Sequence, residues 1–207
     1  MVKKQFLCVE LNEKQVQQLE DDFLESDIVN GDLIAVSFAT VQGTVKVFNQ
    51  NGDCLNTIYR NDKDWNVCLE TMKVLKYYPQ STFGENQQYA LVMASDNRTI
   101  QVHTNKLVYK IENAHQGMIR GLAIWEVNDG LNLKNIILSA ADNDHTIKLW
   151  DGLDGQLLKE IKSSHSGLRW RSLHCYQENY KPTNKNYIVY GSKHGTLFIF
   201  SLPIHKK

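Results

Sequence analysis

Apolar residues along this chain come in short runs broken by tight polar turns, the signature of strands rather than helices. Residues 135–141, Asn-Ile-Ile-Leu-Ser-Ala-Ala, are apolar and small enough for a buried strand, and residues 146–150, Thr-Ile-Lys-Leu-Trp, are rich in β-formers. Between them Asp142, Asn143, Asp144 and His145 supply a turn, because Asp and Asn tolerate left-handed backbone and hydrogen-bond to their own main chain. The pattern predicts a hairpin over 135–150.

Similar hairpins recur over 33–48, 90–103 and 188–200. Each turn ends on a threonine, and Thr44, Thr99, Thr146 and Thr196 lie 55, 47 and 50 residues apart. A hairpin repeated at such a period marks an architecture whose units cannot stay dry alone and bury their faces on one another. Alternation supplies inner strands before the later hairpins, at 65–69, 119–125 and 170–175, and outer strands after the first three, at 54–59, 107–111 and 157–161. Asn51-Gly52 and Asp154-Gly155 are hairpin-turn dipeptides ahead of two outer strands. The units so defined run 33–60, 65–111, 119–161 and 170–202, and the fourth lacks an outer strand.

The stretch from Ser139 to Asp151 resembles the WD-repeat β-propeller family, whose blades carry a Ser/Ala-rich strand, an Asp turn, Thr-Ile-Lys-Leu and a closing Trp-Asp. The resemblance covers residues 33–202, is nearly residue for residue in the third unit, and implies an all-β propeller of about four blades. Such rings usually close with about 4 to 8 blades. Three readings stay open: a small four-bladed ring, an open arc that needs a partner chain, or a fragment of a longer product. The missing outer strand favours an incomplete arc. Residues 5–11 read as a strand that either begins blade one or completes blade four. Over 12–25, Val16, Leu19 and Phe23 recur at helical spacing, Asn12 can cap with Gln15, and acids fill the far side. These features predict a short acidic amphipathic helix, so that 1–32 forms an N-terminal segment and 203–207 a basic tail. Polar loops are expected at 77–88 and 181–186.

The resemblance also implies a buried network of a His before the inner strand, a Ser or Thr, the turn Asp and the closing Trp. In the third blade these are His115, Asp144 and Trp150, with Ser139 as the candidate hydroxyl although Ala140 and Asp142 stand nearest the expected place. A His–Asp pair beside a serine invites a hydrolase reading. Because the residues sit at repeat-defined positions, a turn clamp is expected instead, satisfying several buried polar groups at once. The other blades depart from it: Gln42, Asn97 and His194 replace the Asp, and Phe48, His103 and Phe200 replace the Trp. The resemblance further places Asn66, Arg120 and Arg171, with Gly43, Arg98, His145 and Gly195, around one mouth of the ring. Among these, Arg98, Arg120, His145 and Arg171 are the partner-binding candidates, Arg being a frequent interface anchor. Trp150-Asp-Gly-Leu153 lacks the Arg that ubiquitin-ligase substrate receptors of the family carry, so that role is not expected.

Composition narrows the class. With 207 residues, 42% apolar, and 23 basic against 23 acidic side chains, the chain can bury a core and has no overall pull toward nucleic acid or membrane. The four cysteines, Cys8, Cys54, Cys68 and Cys175, are far apart and read as free thiols of a reducing compartment. No stretch reads as a signal peptide or membrane span, which gives an expectation of an intracellular protein, cytoplasmic or nuclear. On that expectation the acceptor pattern Asn97-Arg-Thr99 is an accident of the turn. His115, His145, His165, His174 and His194 form no zinc spacing, and no glycine-rich phosphate loop occurs, so no metal, cofactor or catalytic residue is expected. Charge is uneven: acids crowd 10–27, while Lys162, Arg169, Arg171, Lys181, Lys185, Lys193, Lys206 and Lys207 lie beyond 161 against Glu178 alone. The expected function is a non-enzymatic scaffold for protein partners in an intracellular complex. The alternative is an RNA-associated subunit using the basic fourth blade with Trp170, Tyr176 and Tyr180.

Overall fold

The computed structural model describes residues 23–29, 33–38, 45–49, 53–58, 69–76, 89–95, 98–104, 106–128, 133–141, 144, 146–162, 172–177, 186–191 and 196–202. The expected strand at 5–11, the helix at 12–25 up to residue 22, Thr44, the 77–88 loop, most of the 181–186 loop and the 203–207 tail lie outside them.

All described regular structure is strand, in four antiparallel sheets ordered along the chain. Sheet one holds β1 (Phe23–Val29), β2 (Leu33–Phe38), β3 (Val45–Asn49) and β4 (Cys54–Ile58). Sheet two holds β5 (Leu69–Lys76), β6 (Tyr89–Ser95), β7 (Ile100–His103) and β8 (Leu107–Ile111). Sheet three holds β9 (Ile119–Asn128), β10 (Leu133–Ala141), β11 (Thr146–Asp151) and β12 (Leu157–Lys162). Sheet four has three strands, β13 (Ser172–Gln177), β14 (Asn186–Gly191) and β15 (Leu197–Leu202).

The three four-stranded sheets share one plan, and their irregularities show it better than their threonines. Each four-stranded sheet carries a register shift near the start of its first strand, at Phe23/Glu25, Leu69/Thr71, and opposite Ala140/Ala141 in sheet three. Each carries a second between its third and fourth strands, at Val47/Phe48, Val102/His103 and Leu149/Trp150. A bulge re-aims every side chain beyond it, so two bulges at matching places put matching positions on matching faces. On this register Phe48, His103, Trp150 and Phe200 are equivalent, as are Val36, Met93, Ser139 and Tyr190.

Consecutive sheets pack face to face through their first strands, β1 on β5, β5 on β9 and β9 on β13. Three cores result. Val45 and Val47 meet Met72, Val74, Leu91 and Met93 between sheets one and two. Leu75, Val92, Ile100 and Val102 meet Ile119, Leu122, Ile137 and Trp150 between two and three. Leu138, Ala140, Ile147 and Leu149 meet Leu173, Ile188 and Tyr190 between three and four. Alternate residues of one strand thus serve two different cores, which is why β7 is buried along its whole length.

Two expectations are corrected. The first strand of sheet one is β1, not residues 5–11, and Phe23 to Glu25, expected to end the helix, belong to that strand. β1 pairs antiparallel with β2 from Phe23 to Val29, and that ladder outweighs a helical spacing resting on three residues. In sheet two the described first strand is β5, Leu69–Lys76, which shares only Leu69 with the expected strand 65–69; residues 65–68, with Asn66, lie outside the described residues. Thr71, Met72, Val74 and Leu75 are all buried, and a strand covered on both faces loses the alternation by which it would be recognised.

The β11–β12 turn also ties sheet three to sheet two. Gly155 sits at φ +74, and a Cβ there would lie 2.8 Å from Cε2 of Tyr109 and 3.0 Å from Cγ1 of Ile111, both on β8. The Tyr109 hydroxyl donates to the Gly152 carbonyl at 2.9 Å. Gly155→Ala combines a left-handed backbone with a blocked approach and is expected to destabilise the chain by about 1–2 kcal/mol, read as a lower urea midpoint.

Candidate functional site

The polar cluster with chemistry in it lies on sheet three. The segment from Glu112 to Met118, between β8 and β9, passes over the β10–β11 turn and is pinned on both sides. The Ala114 amide donates to the Arg98 carbonyl at 2.9 Å, fixing it to sheet two. The Lys148 ammonium donates to the Ala114 carbonyl at 2.7 Å and lies 5.9 Å from the centroid of the Trp150 ring, fixing it to sheet three.

His115 then enters the sheet. Its Nδ1 is 2.6 Å from Asp144 Oδ2 and its Nε2 is 2.7 Å from Ser139 Oγ, while Trp150 Nε1 donates to Ser139 Oγ at 2.8 Å. Asp144 also accepts from the Gln116 amide at 2.9 Å and from the Thr146 hydroxyl at 2.7 Å. One assignment of protons satisfies every link: Trp150 donates to Ser139, Ser139 to the bare Nε2 of His115, and His115 through Nδ1–H to Asp144. That assignment carries a neutral imidazole. Burial holds His115 below its ordinary value and prevails over the opposing pull of Asp144. Burial alone would raise the Asp144 carboxyl, but the hydrogen bonds from Thr146 and Gln116 and its proximity to His115 hold it below the usual range.

A His–Asp pair with a serine hydroxyl on the far imidazole nitrogen has the connectivity of a hydrolytic triad. Access and polarity differ. Ser139 is 0% exposed and accepts from the Trp150 indole, so its oxygen faces the protein interior and no substrate carbonyl can reach it. What the arrangement does is close a turn. It is confined to sheet three because the serine position holds Val36, Met93 or Tyr190 elsewhere. In sheet two His103 turns along its own strand and pairs through Nε2 with Gln101 Oε1 at 2.8 Å. Sheet four replaces the polar chain by aromatic stacking: Tyr190 lies 4.9 Å from Phe198 and 5.5 Å from Phe200, ring centre to ring centre.

Thus His115, Asp144 and Trp150 come together, joined by Ser139, which the repeat spacing left uncertain because Ala140 and Asp142 stand nearest the expected place. Of the four mouth candidates, Arg98 is exposed and Arg120 half-buried, with Nη2 3.2 Å from Met118 Sδ. His145 and Arg171 lie outside the described residues. Arg98 has φ 68, the left-handed region that glycine occupies without steric penalty. Arg98→Gly is expected to stabilise the chain by about 0.5 kcal/mol, the relief of strain exceeding the entropy glycine loses on folding, visible as a small rise in melting temperature. Among the described residues no group of three His, Cys, Asp or Glu could hold a metal ion, and no helix is long and apolar enough to cross a membrane. Neither Cys54 nor Cys175 forms a disulfide, and burial pushes the Cys175 thiol up to about 12.

No family profile and no curated protein matches the sequence. Solved structures do match the fold. BBS1N, crystallised in complex with ARL6DN, superposes with a TM-score of 0.57 at 11% identity, over 88% of this chain and 51% of that one. Raptor of Chaetomium thermophilum gives 0.57 at 12% identity, over 88% of this chain and 16% of that one. A protein of unknown function from Bacteroides caccae gives 0.55 at 10% identity, over 87% and 63%. The chain therefore spans about half the length of the BBS1N chain and less than two thirds of either other structure. BBS1N and Raptor are β-propeller-type folds, and this protein is an all-β chain of the same propeller-like class.

Proposed function

We propose that this chain is a non-enzymatic scaffold of the WD-repeat kind, an incomplete arc of four blades that presents loops to protein partners inside an intracellular complex. The observation that carries this reading is the closed state of its polar cluster. Every donor and acceptor of the His115, Ser139, Asp144 and Trp150 chain is engaged inside the blade, which makes the cluster a clamp holding the rim loops in place. On that rim the exposed Arg98 side chain projects from a backbone position better suited to glycine, an arrangement that favours a role for the side chain itself. BBS1N, whose fold this chain shares, was crystallised with another protein, ARL6DN. Of the basic residues behind the RNA alternative, only Lys162 lies among the described residues, so no geometry favours that reading.

The test is affinity purification with mass spectrometry, comparing the natural chain with the double substitution Arg98→Glu, Arg120→Glu. Specific partners present with the first and lost with the second, at unchanged circular dichroism, are expected. An esterase or amidase activity abolished by His115→Ala in a folded protein would overturn the scaffold reading.

A further inference from the structure

Three methionines lie among the described residues, and their surroundings divide them. Met72 and Met93 are 0% exposed in the core between sheets one and two, whereas Met118 is 40% exposed. Met118 is the last residue of the segment that runs over the β10–β11 turn, and it stands directly before Ile119, which is 0% exposed and opens β9. The backbone around it is held on both sides, by the Gln116 amide on Asp144 and by the β9–β10 ladder. Met118 is therefore an open thioether on a fixed base, the form of methionine that a peroxide reaches first.

The neighbour of that sulfur gives its oxidation a consequence. Arg120 Nη2 donates to Met118 Sδ at 3.2 Å. In the β9–β10 ladder Ile119 faces Ala141 and Gly121 faces Ala140, which leaves Arg120 as the extra residue of the bulge. A bulge takes its extra side chain out of the ordinary alternation, and here the guanidinium lies back against Met118. A thioether is a weak acceptor, so the present contact is a weak one. A sulfoxide oxygen is strongly polar, and a bond to it from the ionised guanidinium is of the charge-assisted kind, roughly twice as strong as a neutral hydrogen bond.

We propose that Met118 is a redox-sensitive modification site, at which a peroxide forms the sulfoxide and the sulfoxide oxygen holds the Arg120 guanidinium against its own segment. The effect on partners, and that alone, rests on the scaffold reading above. In the reaction a lone pair of Sδ attacks one oxygen of the peroxide and the O–O bond breaks. The departing hydroxide takes the proton of the transferred oxygen and leaves as water. Sulfur gives up an electron pair and the peroxide accepts it, so no further reagent is needed. The new S–O dipole stays in solvent because the residue is 40% exposed, and the fold is left intact. Arg120 is one of the two rim arginines that would anchor a partner, and fixing it on its own chain lowers the affinity for that partner.

The experiment exposes the full chain to hydrogen peroxide at neutral pH and follows each methionine by peptide mapping with mass spectrometry. The same maps report labelling of Arg120 by phenylglyoxal, a guanidine reagent, in the natural chain and in Met118→Leu. The expected result is one added oxygen on Met118 while Met72 and Met93 stay unmodified, with a fall in Arg120 labelling that is absent from Met118→Leu. Oxidation of Met72 or Met93 ahead of Met118 at unchanged circular dichroism would overturn the proposal, as would Arg120 labelling that is the same before and after oxidation. Neither readout needs a partner. Partner capture is then compared before and after peroxide: loss from the natural chain, retention by Met118→Leu, and recovery after treatment with methionine sulfoxide reductases of both epimer specificities are expected. Equal loss from both chains sinks the effect on partners. An untreated chain that captures nothing removes the scaffold reading and that effect with it, and the maps alone then decide the modification site.

Discussion

Trp150→Ala is expected to cost about 3–5 kcal/mol, the range for emptying a buried aromatic site. Trp150 is 6% exposed, packs in the core between sheets two and three, and is the donor that starts the chain through Ser139 to His115. Truncation removes the packing and leaves the Ser139 oxygen without its indole partner. Trp150→Phe separates the two effects. Phe48 and Phe200 occupy the equivalent place in sheets one and four, so the ring volume is acceptable and the cost should fall to about 1–2 kcal/mol, that of one buried acceptor losing its donor. Combined with Ser139→Ala, the Phe substitution should cost less than it does alone, because the acceptor has gone with the donor. Urea unfolding followed by circular dichroism reads all four variants. A loss below about 1 kcal/mol for Trp150→Ala, outside the range for a buried aromatic, would mean that the cluster does not hold the blade together.

Asp144→Ala is the second large effect, about 3–4 kcal/mol. It strips one acceptor from three donors at once: His115 Nδ1, the Gln116 amide and the Thr146 hydroxyl. Two of the three lie on or beside the segment that bridges sheets two and three, so local opening should extend to the Ala114 amide bonded to Arg98 and appear as faster hydrogen exchange there. The same groups fix the response to pH. His115 is held below its ordinary 6.5 by burial, so above 6.5 it is neutral folded and unfolded alike, and its contribution is complete. As pH falls below 6.5 the unfolded chain takes up a proton that the folded chain refuses, and stability is lost progressively toward the folded value. Asp144 is held below 3.8 and acts in the same direction at lower pH, its contribution being present above 3.8 and lost as pH falls through the folded value. The urea midpoint should therefore decline on acidification below 6.5. In Ser139→Ala that decline should be shallower, since Nε2 has then lost the hydroxyl that favoured its bare form and the folded imidazole takes up its proton at higher pH. A midpoint rising on acidification between 6.5 and 4 would contradict the neutral imidazole.

The parts of the fold legible along the chain were those fixed by neighbours in sequence. The hairpin of β10 and β11 is a local object, with its turn acids, β-branched strands and closing Trp all within 135–151, and the outer strands β8 and β12 start where alternation places them. The first strands behaved differently. β5 is buried on both faces between two other sheets, so its composition carries no alternation, and 65–69 looked like the better strand. The network followed the same division. His115, Asp144 and Trp150 stand at repeat positions that can be counted, whereas the residue that meets the far nitrogen of the imidazole is fixed by how the 112–118 segment lies on sheet three.

The sequence by itself determined the repeating unit, a hairpin recurring at a near-constant period, and the copy that holds the residues to clamp its turn. Local propensity and short-range hydrogen bonding suffice for that, because each operates over a dozen residues. The tertiary structure alone decided which strand opens each sheet, that Ser139 completes the clamp, and that Leu197 and Ile199 remain outside when Ile147 and Leu149, their counterparts in sheet three, are sealed. Those facts depend on what lies across a sheet-to-sheet junction, and the burial of a side chain there is a property of two sheets, not of the residues next to it in the chain.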